Sequence, residues 1–210
     1  MSKLCEKLHS IFYTLPRFRF PFDGKQIPKN GIYILFEEGE YAHTGDRIVR
    51  VGTHTGKDQL RSRLKQHFVT ENKDRSIFRK NIGRALLYSS DDPFLEQWNW
   101  DLTSRKAKEF YGHLLNVEKQ KKIEKKVSTI IQELFSFVVV EVSEKKQRLV
   151  WETKIISTVS WCSECKPSMS WLGSKSPKHK IRESGLWLVN GLYKKGFTQD
   201  EFEHLESAIR

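Results

Sequence analysis

Long apolar runs are missing from this 210-residue chain, and no stretch approaches the ~20 residues needed to span a bilayer. Its first residues, Met1-Ser2-Lys3-Leu4-Cys5, also lack the apolar segment and small-residue cleavage site of a secretory signal. The expectation is a cytoplasmic protein with no membrane partner. Cysteine is scarce: Cys5, Cys162 and Cys165 make an odd count with no regular framework, which argues against a disulfide scaffold. Internal repeats and proline- or glycine-rich linkers are absent too. With 38% hydrophobic residues the chain can bury one proper core, so a single domain over 1–210 is expected.

Positive charge is abundant. The chain has 37 Lys and Arg against 26 Asp and Glu, a net charge of +11 and a pI near 9.5. A phosphate-binding surface requires such a balance, but composition alone does not separate one from an unremarkable basic protein.

Changes of texture along the chain suggest its plan. Residues 1–28 form an entry arm in which aromatic and basic residues alternate, as in Phe18-Arg19-Phe20-Pro21-Phe22. Strand signal begins at Gly31, with Ile32, Ile34 and Phe36 on one face and Tyr33 and Leu35 on the other. Glu38-Gly39-Glu40 breaks the run and Arg47 to Thr53 resumes it, which predicts an antiparallel hairpin with a long connection. Asp58 is the expected N-cap of a helix running through Phe68, with Arg63 and His67 four apart on one face. Helices are predicted over 76–87 and in a lysine-rich stretch near 114–134. Phe135 to Val142 is the clearest strand, central in the sheet. A helix over 144–159 follows, where Leu149, Glu152, Ile156 and Val159 form one stripe. A carboxylate in an apolar row needs a cation, a hydrogen-bond partner or a metal. Thr198 and Glu201 fit the capping box of a last helix.

Asn30-Gly31-Ile32-Tyr33, then Val49-Arg50-Val51-Gly52, then Arg63-Leu64-Lys65-Gln66-His67, followed much later by the Glu152 helix, form an ordered set of motifs. Over about residues 29–68 and 135–160 the chain resembles the GIY-YIG nuclease family. The resemblance implies an α/β (α+β) domain with a small, mainly antiparallel three-stranded sheet flanked by helices. Residues 69–134 would then be a helical insertion and 161–210 a C-terminal extension.

It also implies a metal-dependent endonuclease. Tyr33 would act as base or orient the attacking water, Arg63 would clamp the phosphate, and His67 would assist proton transfer or hold a phosphate. Glu152 would bind Mg²⁺, with Mn²⁺ able to substitute. Gly52 matches the second-motif glycine, where a side chain would crowd the backbone. Arg50 stands where the family has its second tyrosine, and His54 is the nearest substitute. Asn190 is carried over for the family's late asparagine, and Arg182 is the other polar group of the tail that could complete the site. DNA is the implied partner, with RNA not excluded by the residues and a homodimer compatible with them.

Duller readings stand beside these. A strand tyrosine commonly fills core, Arg63 and His67 could be a solvated helix face, and Glu152 could be neutralised by Lys145 or Arg148 on its own helix. Two other functions follow from that side: a nucleic-acid-binding module that has lost cutting, or a structural or partner-binding protein. Cys162-Ser163-Glu164-Cys165 has zinc-knuckle spacing, but a structural site takes four ligands and only His179 lies nearby downstream, so no zinc is assigned.

Overall fold

The computed structural model describes residues 2–43 and 45–209. Its first half runs α1 (Ser2–Tyr13), β1 (Phe18–Arg19), β2 (Gly31–Ala42), β3 (Gly45–Gly52), α2 (Leu60–Phe68), α3 (Ile77–Ser89) and α4 (Leu95–Asn99). The second half runs α5 (Arg105–Tyr111), α6 (Val117–Leu134), β4 (Phe135–Glu141), α7 (Lys145–Ser160), α8 (His179–Ser184) and α9 (Gln199–Ile209). None of these helices is long and apolar enough to cross a membrane.

The strands form one antiparallel sheet in the order β1-β4-β2-β3. The β-branched run of β4 lies in the sheet interior, as its composition predicts. Strand alternation divides the core. Ile32, Ile34 and Phe36 face a layer that includes Leu8 and Phe12 of α1, Ile155 and Val159 of α7 and Leu205 of α9. Tyr33 and Leu35 face the opposite layer, with Leu64 of α2, Phe78 and Ile82 of α3 and Val127 of α6.

Several local expectations are corrected. The sheet has a fourth strand, the two-residue β1, which pairs Phe18 with Phe137. Gly39 does not end β2, which continues to Ala42; Gly39 takes φ +84 and the register slips between Phe36 and Tyr41. An irregular stretch of strand has replaced the long connection. Glu40 remains buried there because Arg47 grips its Oε2 from Nε at 3.0 Å and Nη2 at 2.6 Å. The entry arm begins with a core helix, α1, which buries Cys5, Leu8 and Phe12 at helical spacing. Asp58 is not an N-cap. It takes φ +58 and is held by the Asn30 amide, at 2.6 Å from Nδ2 and with its own N–H at 2.9 Å from Oδ1, while α2 starts at Leu60.

Other local signals are reproduced. Ser76 caps α3 by accepting the Arg79 N–H at 3.2 Å, Glu144 caps α7, and Thr198 and Glu201 exchange hydrogen bonds at the start of α9. The stripe of α7 shifts: Trp151, Ile155, Ile156 and Val159 are buried, while Leu149 and Glu152 stand at its margin. The segment after α8 covers the outer edge of β3, where Trp187 N–H donates to the Val49 carbonyl at 2.7 Å. An edge strand is thus given a partner.

Candidate active-site cleft

The β2–β3 register decides which side chains meet. Tyr33 pairs with Gly52 and Leu35 with Arg50, and directly opposed residues share a sheet face. Arg50 and Gly52 therefore stand on the side of Tyr33. A side chain at Gly52 would collide with it, because an ideal Cβ would fall 2.2 Å from the Tyr33 hydroxyl. The crowding expected at Gly52 is real, and the neighbour is the tyrosine itself.

Tyr33 and His67 are 1% and 0% exposed. The Tyr33 hydroxyl lies 2.8 Å from His67 Nε2, and His67 Nδ1 lies 2.7 Å from Ser76 Oγ. Burial pushes the His67 pKa well below the ordinary imidazole value, and the charges of Arg50, Arg63 and Arg79 push it the same way. A neutral imidazole has one donor and one acceptor nitrogen, so this chain can take the tyrosine proton at Nε2 while Nδ1–H donates to the serine. Its burial corrects one expectation: His67 does not reach a phosphate.

An open cleft lies beside this relay, where the edge of β3 meets α7. It consists of two hollows of about 300 and 370 Å³ that share Glu152. Arg50, Asn81, Asn190 and Lys194 line one; His54, Gln59, Arg63 and Gln66 line the other. Glu152 Oε1 accepts the Thr53 N–H at 3.1 Å, from the residue just past β3. Burial raises the Glu152 pKa, opposed by Arg50, by the Thr53 N–H and by Arg63. Its cationic neighbours thus come from β3 and α2. Of the cations on its own helix, Arg148 is turned away and donates to the carbonyls of Val142 and Ser143 at 3.0 and 2.7 Å.

The polar groups around Glu152 have spare hydrogen-bonding capacity. Arg50 donates Nη1 to the Trp187 carbonyl and stacks over Phe78 at 5.2 Å, but its buried Nε finds no acceptor among the described residues. Asn81 is in the same position. Arg84 fixes its Oδ1 at 2.8 Å, and its buried Nδ2 has no acceptor among the described residues. Arg63 is half-buried and is positioned by Gln66 Oε1 at 3.1 Å and the Arg75 carbonyl at 3.0 Å. A cleft with cations and unsatisfied donors around one carboxylate is suited to an anion together with a metal ion.

Asn190 reaches the cleft despite its distance along the chain. Ser157 of α7 donates to the Gly191 carbonyl at 2.9 Å and thereby fixes the segment. Two expectations do not join this arrangement. Arg182 lies exposed on α8, with Nη1 on the Ser176 carbonyl at 2.5 Å. His54 lines the cleft, but both ring nitrogens face backbone, Nδ1 at 2.6 Å from the Gly56 carbonyl and Nε2 at 3.4 Å from the Gly31 N–H. It secures the loop and does not replace a tyrosine. Sequence reasoning missed Asn81, Ser76 and the Thr53 amide. For Asn81 the one available signal was an amide in mid-helix, where it is neither a good helix former nor a cap.

This geometry sets one carboxylate among arginines, a lysine and amide side chains in an open cleft. The sequence model of the GIY-YIG domain family matches residues 8–210, and the chain belongs to that family. It is thereby a nuclease-type hydrolase with nucleic acid as its substrate class. Neither the search of curated proteins nor that of solved structures found a match.

Proposed function

We propose that this chain is a Mg²⁺-dependent endonuclease that hydrolyses phosphodiester bonds in DNA at the Glu152 cleft. One observation carries the reading: Arg50 and Asn81, which line the same hollow as Glu152 and Asn190, each keep a buried donor, Nε and Nδ2, with no acceptor among the described residues. Buried donors left unsatisfied are costly unless a ligand supplies the acceptor, and phosphate oxygens do so.

The donor set fits magnesium. Glu152 has one oxygen on the Thr53 amide, and its other oxygen has no hydrogen-bond partner among the described residues. A single carboxylate in an open polar cleft suits an ion that keeps most of its waters. Glu152 would hold Mg²⁺, or Mn²⁺ in its place, which when bound neutralises charge growing on the phosphate. Arg63 and Arg50 would clamp the non-bridging oxygens, and Asn81 and Asn190 would orient them. Tyr33 would hand its proton to neutral His67, leaving an oxygen able to orient or deprotonate water, while Ser76 keeps the imidazole in the accepting tautomer.

A second reading, a nucleic-acid-binding module without cleavage, is favoured by one observation. The Tyr33 hydroxyl is buried and turned toward His67 instead of into the open cleft. Supercoiled plasmid and branched and single-stranded DNAs, incubated with Mg²⁺, Mn²⁺ or EDTA, separate the two readings. Metal-dependent nicking is expected, abolished by Glu152→Ala and strongly reduced by Tyr33→Phe. Salt-sensitive binding with no cutting on any substrate would leave only the binding module.

A further inference from the structure

The three cysteines have no part in the cleft, yet they converge. Cys5 of α1, Cys162 and Cys165 from the turn after α7, and His43 from just past β2 are brought together from three distant points of the sequence. The three cysteines are buried, and the His43 side chain is 1% exposed. Cys5 Sγ lies 3.4 Å from Cys165 Sγ, and His43 Nε2 lies 3.5 Å from the Sγ of both Cys162 and Cys165. Cys162 joins the group through His43, which stands between the two sulfurs of the turn.

Around a tetrahedral zinc ion with Zn–S of ~2.3 Å and Zn–N of ~2.0–2.1 Å, ligands would stand about 3.8 Å apart sulfur to sulfur and about 3.6 Å sulfur to nitrogen. The Cys5–Cys165 spacing and the two spacings from His43 to Cys162 and Cys165 lie within a few tenths of an ångström of those figures. Every cysteine of the chain is in the cluster, and all three are free thiols.

We propose that Cys5, His43, Cys162 and Cys165 bind a structural zinc ion that fastens the N-terminal helix and the turn after α7 to the tip of the β2–β3 hairpin.

Two further features support the set. His43 Nδ1 faces the Glu164 carboxylate at 3.4 Å, so its Nδ1–H has an acceptor and Nε2 is left to coordinate. That is the usual outer support of a zinc-bound histidine. His43 also holds φ 54, a conformation uncommon for a side-chain-bearing residue, at the point where its ring must turn inward.

His9 is the rival ligand, since it lies within 4.8 Å of Cys5, His43 and Cys165. Both its nitrogens are taken: Nδ1 is 2.9 Å from the Cys5 carbonyl and Nε2 is 3.2 Å from the Ile48 N–H. It braces the site without coordinating. His179, the histidine nearest in sequence, is exposed and paired with Glu183 at 3.4 Å. The ligands were hidden because two of the four lie more than a hundred residues upstream of the Cys162–Cys165 pair.

The cluster and the cleft lie at opposite ends of the hairpin. Tyr33 lies near the start of β2 and His43 just past its end at Ala42, with nine strand steps between Tyr33 and Ala42, roughly 30 Å at ~3.3 Å per residue. The ion therefore takes no part in cleavage.

Elemental analysis of the full-length protein, purified without chelator or metal-affinity resin, tests the site. About one zinc per chain is expected, surviving gel filtration, absent from Cys162→Ser and His43→Ala, and retained in His9→Ala and His179→Ala. Stripping the ion with a thiol-reactive mercurial and chelator should release it stoichiometrically and lower Tm by roughly 10 °C or more. Should the ligand variants fail to fold, cobalt exchange into the wild-type protein provides the second readout: tetrahedral d–d bands with thiolate-to-cobalt charge transfer. Zinc well below one per chain, together with no such spectrum on cobalt addition, would overturn the proposal. A Cys5–Cys165 disulfide in the purified protein would overturn it as well.

Discussion

At the scale of single residues, Gly52 shows how little room the relay has. A methyl group there must displace the Tyr33 ring, whereas Gly24 has nothing within 4 Å of its would-be Cβ. Gly52→Ala should therefore reduce plasmid nicking about 100-fold, as a small misplacement of a reacting group does, while Gly24→Ala leaves it unchanged. Equal effects of the two would show that Tyr33 tolerates the shift. Glu37 makes a different kind of prediction. Its carboxylate accepts the indole N–H groups of Trp171 and Trp187, both at 2.8 Å, in a wholly buried pocket. Burial pushes its pKa from 4.5 up to about 7, against the pull of those two bonds. In that interval the folded protein keeps a proton that the unfolded chain has released, so stability falls as pH rises from about 4.5 to 7, by about 3 kcal/mol in total. Urea titrations at acid and neutral pH should show this loss in the wild type and a smaller one in Glu37→Gln, which has no proton to release. A parallel pH dependence in both would remove Glu37 as its source.

At the scale of elements, one buried ion pair joins the insertion to the relay. Arg79 of α3 contacts Glu124 of α6 through Nη2 at 2.8 Å and Nε at 3.0 Å, and its Nη1 donates to the His67 carbonyl of α2 at 3.1 Å. Glu124→Ala would leave a wholly buried guanidinium without its carboxylate, which costs about 3–5 kcal/mol and should appear as an earlier urea midpoint. A shift under 1 kcal/mol would mean that water or Ser128 takes over. Elements were also where the sequence was most legible. The cap at Thr198 and the helix starts near Ser76 and Glu144 could be read because such signals depend on a residue and its next few neighbours. Glu152 could be read from its place on the helix after the last strand and from apolar neighbours at helical spacing, although the buried stripe runs one residue to its side. Asp58 misled because its partner, Asn30, lies across the fold. The β2 register slip was hidden because Gly39 imitates a turn. Asn81 and the zinc cluster were illegible for one reason: each depends on contacts between residues far apart in the chain, which no local spacing records.

At the scale of the whole molecule, the net charge of +11 should give nucleic-acid binding a strong dependence on salt. Much of the charge is diffuse, since Lys121, Lys122, Lys125 and Lys126 lie on the solvent face of α6. Arg63 is different, because it is fixed at the cleft. In binding isotherms measured over a range of salt, Arg63→Gln should lower the slope of log K against log[salt] by about 1, the contribution of one phosphate. An unchanged slope would place Arg63 off the nucleic-acid path. The class of fold was legible at this scale, because alternating strands and amphipathic helices specify their own partners. The late approach of residues 186–191 to β3 was not, since nothing in those residues names the strand whose edge they cover.

That late approach has a consequence for biosynthesis. Arg50 is held by the Trp187 carbonyl, and Asn190 is brought to the cleft by a segment that α7 holds through Gly191 and Tyr193. The motifs between Gly31 and His67 leave the ribosome long before this segment does. A nascent chain can therefore have its tyrosine, arginine and histidine in place and still lack one wall of its cleft. Translation itself would delay completion of the cleft.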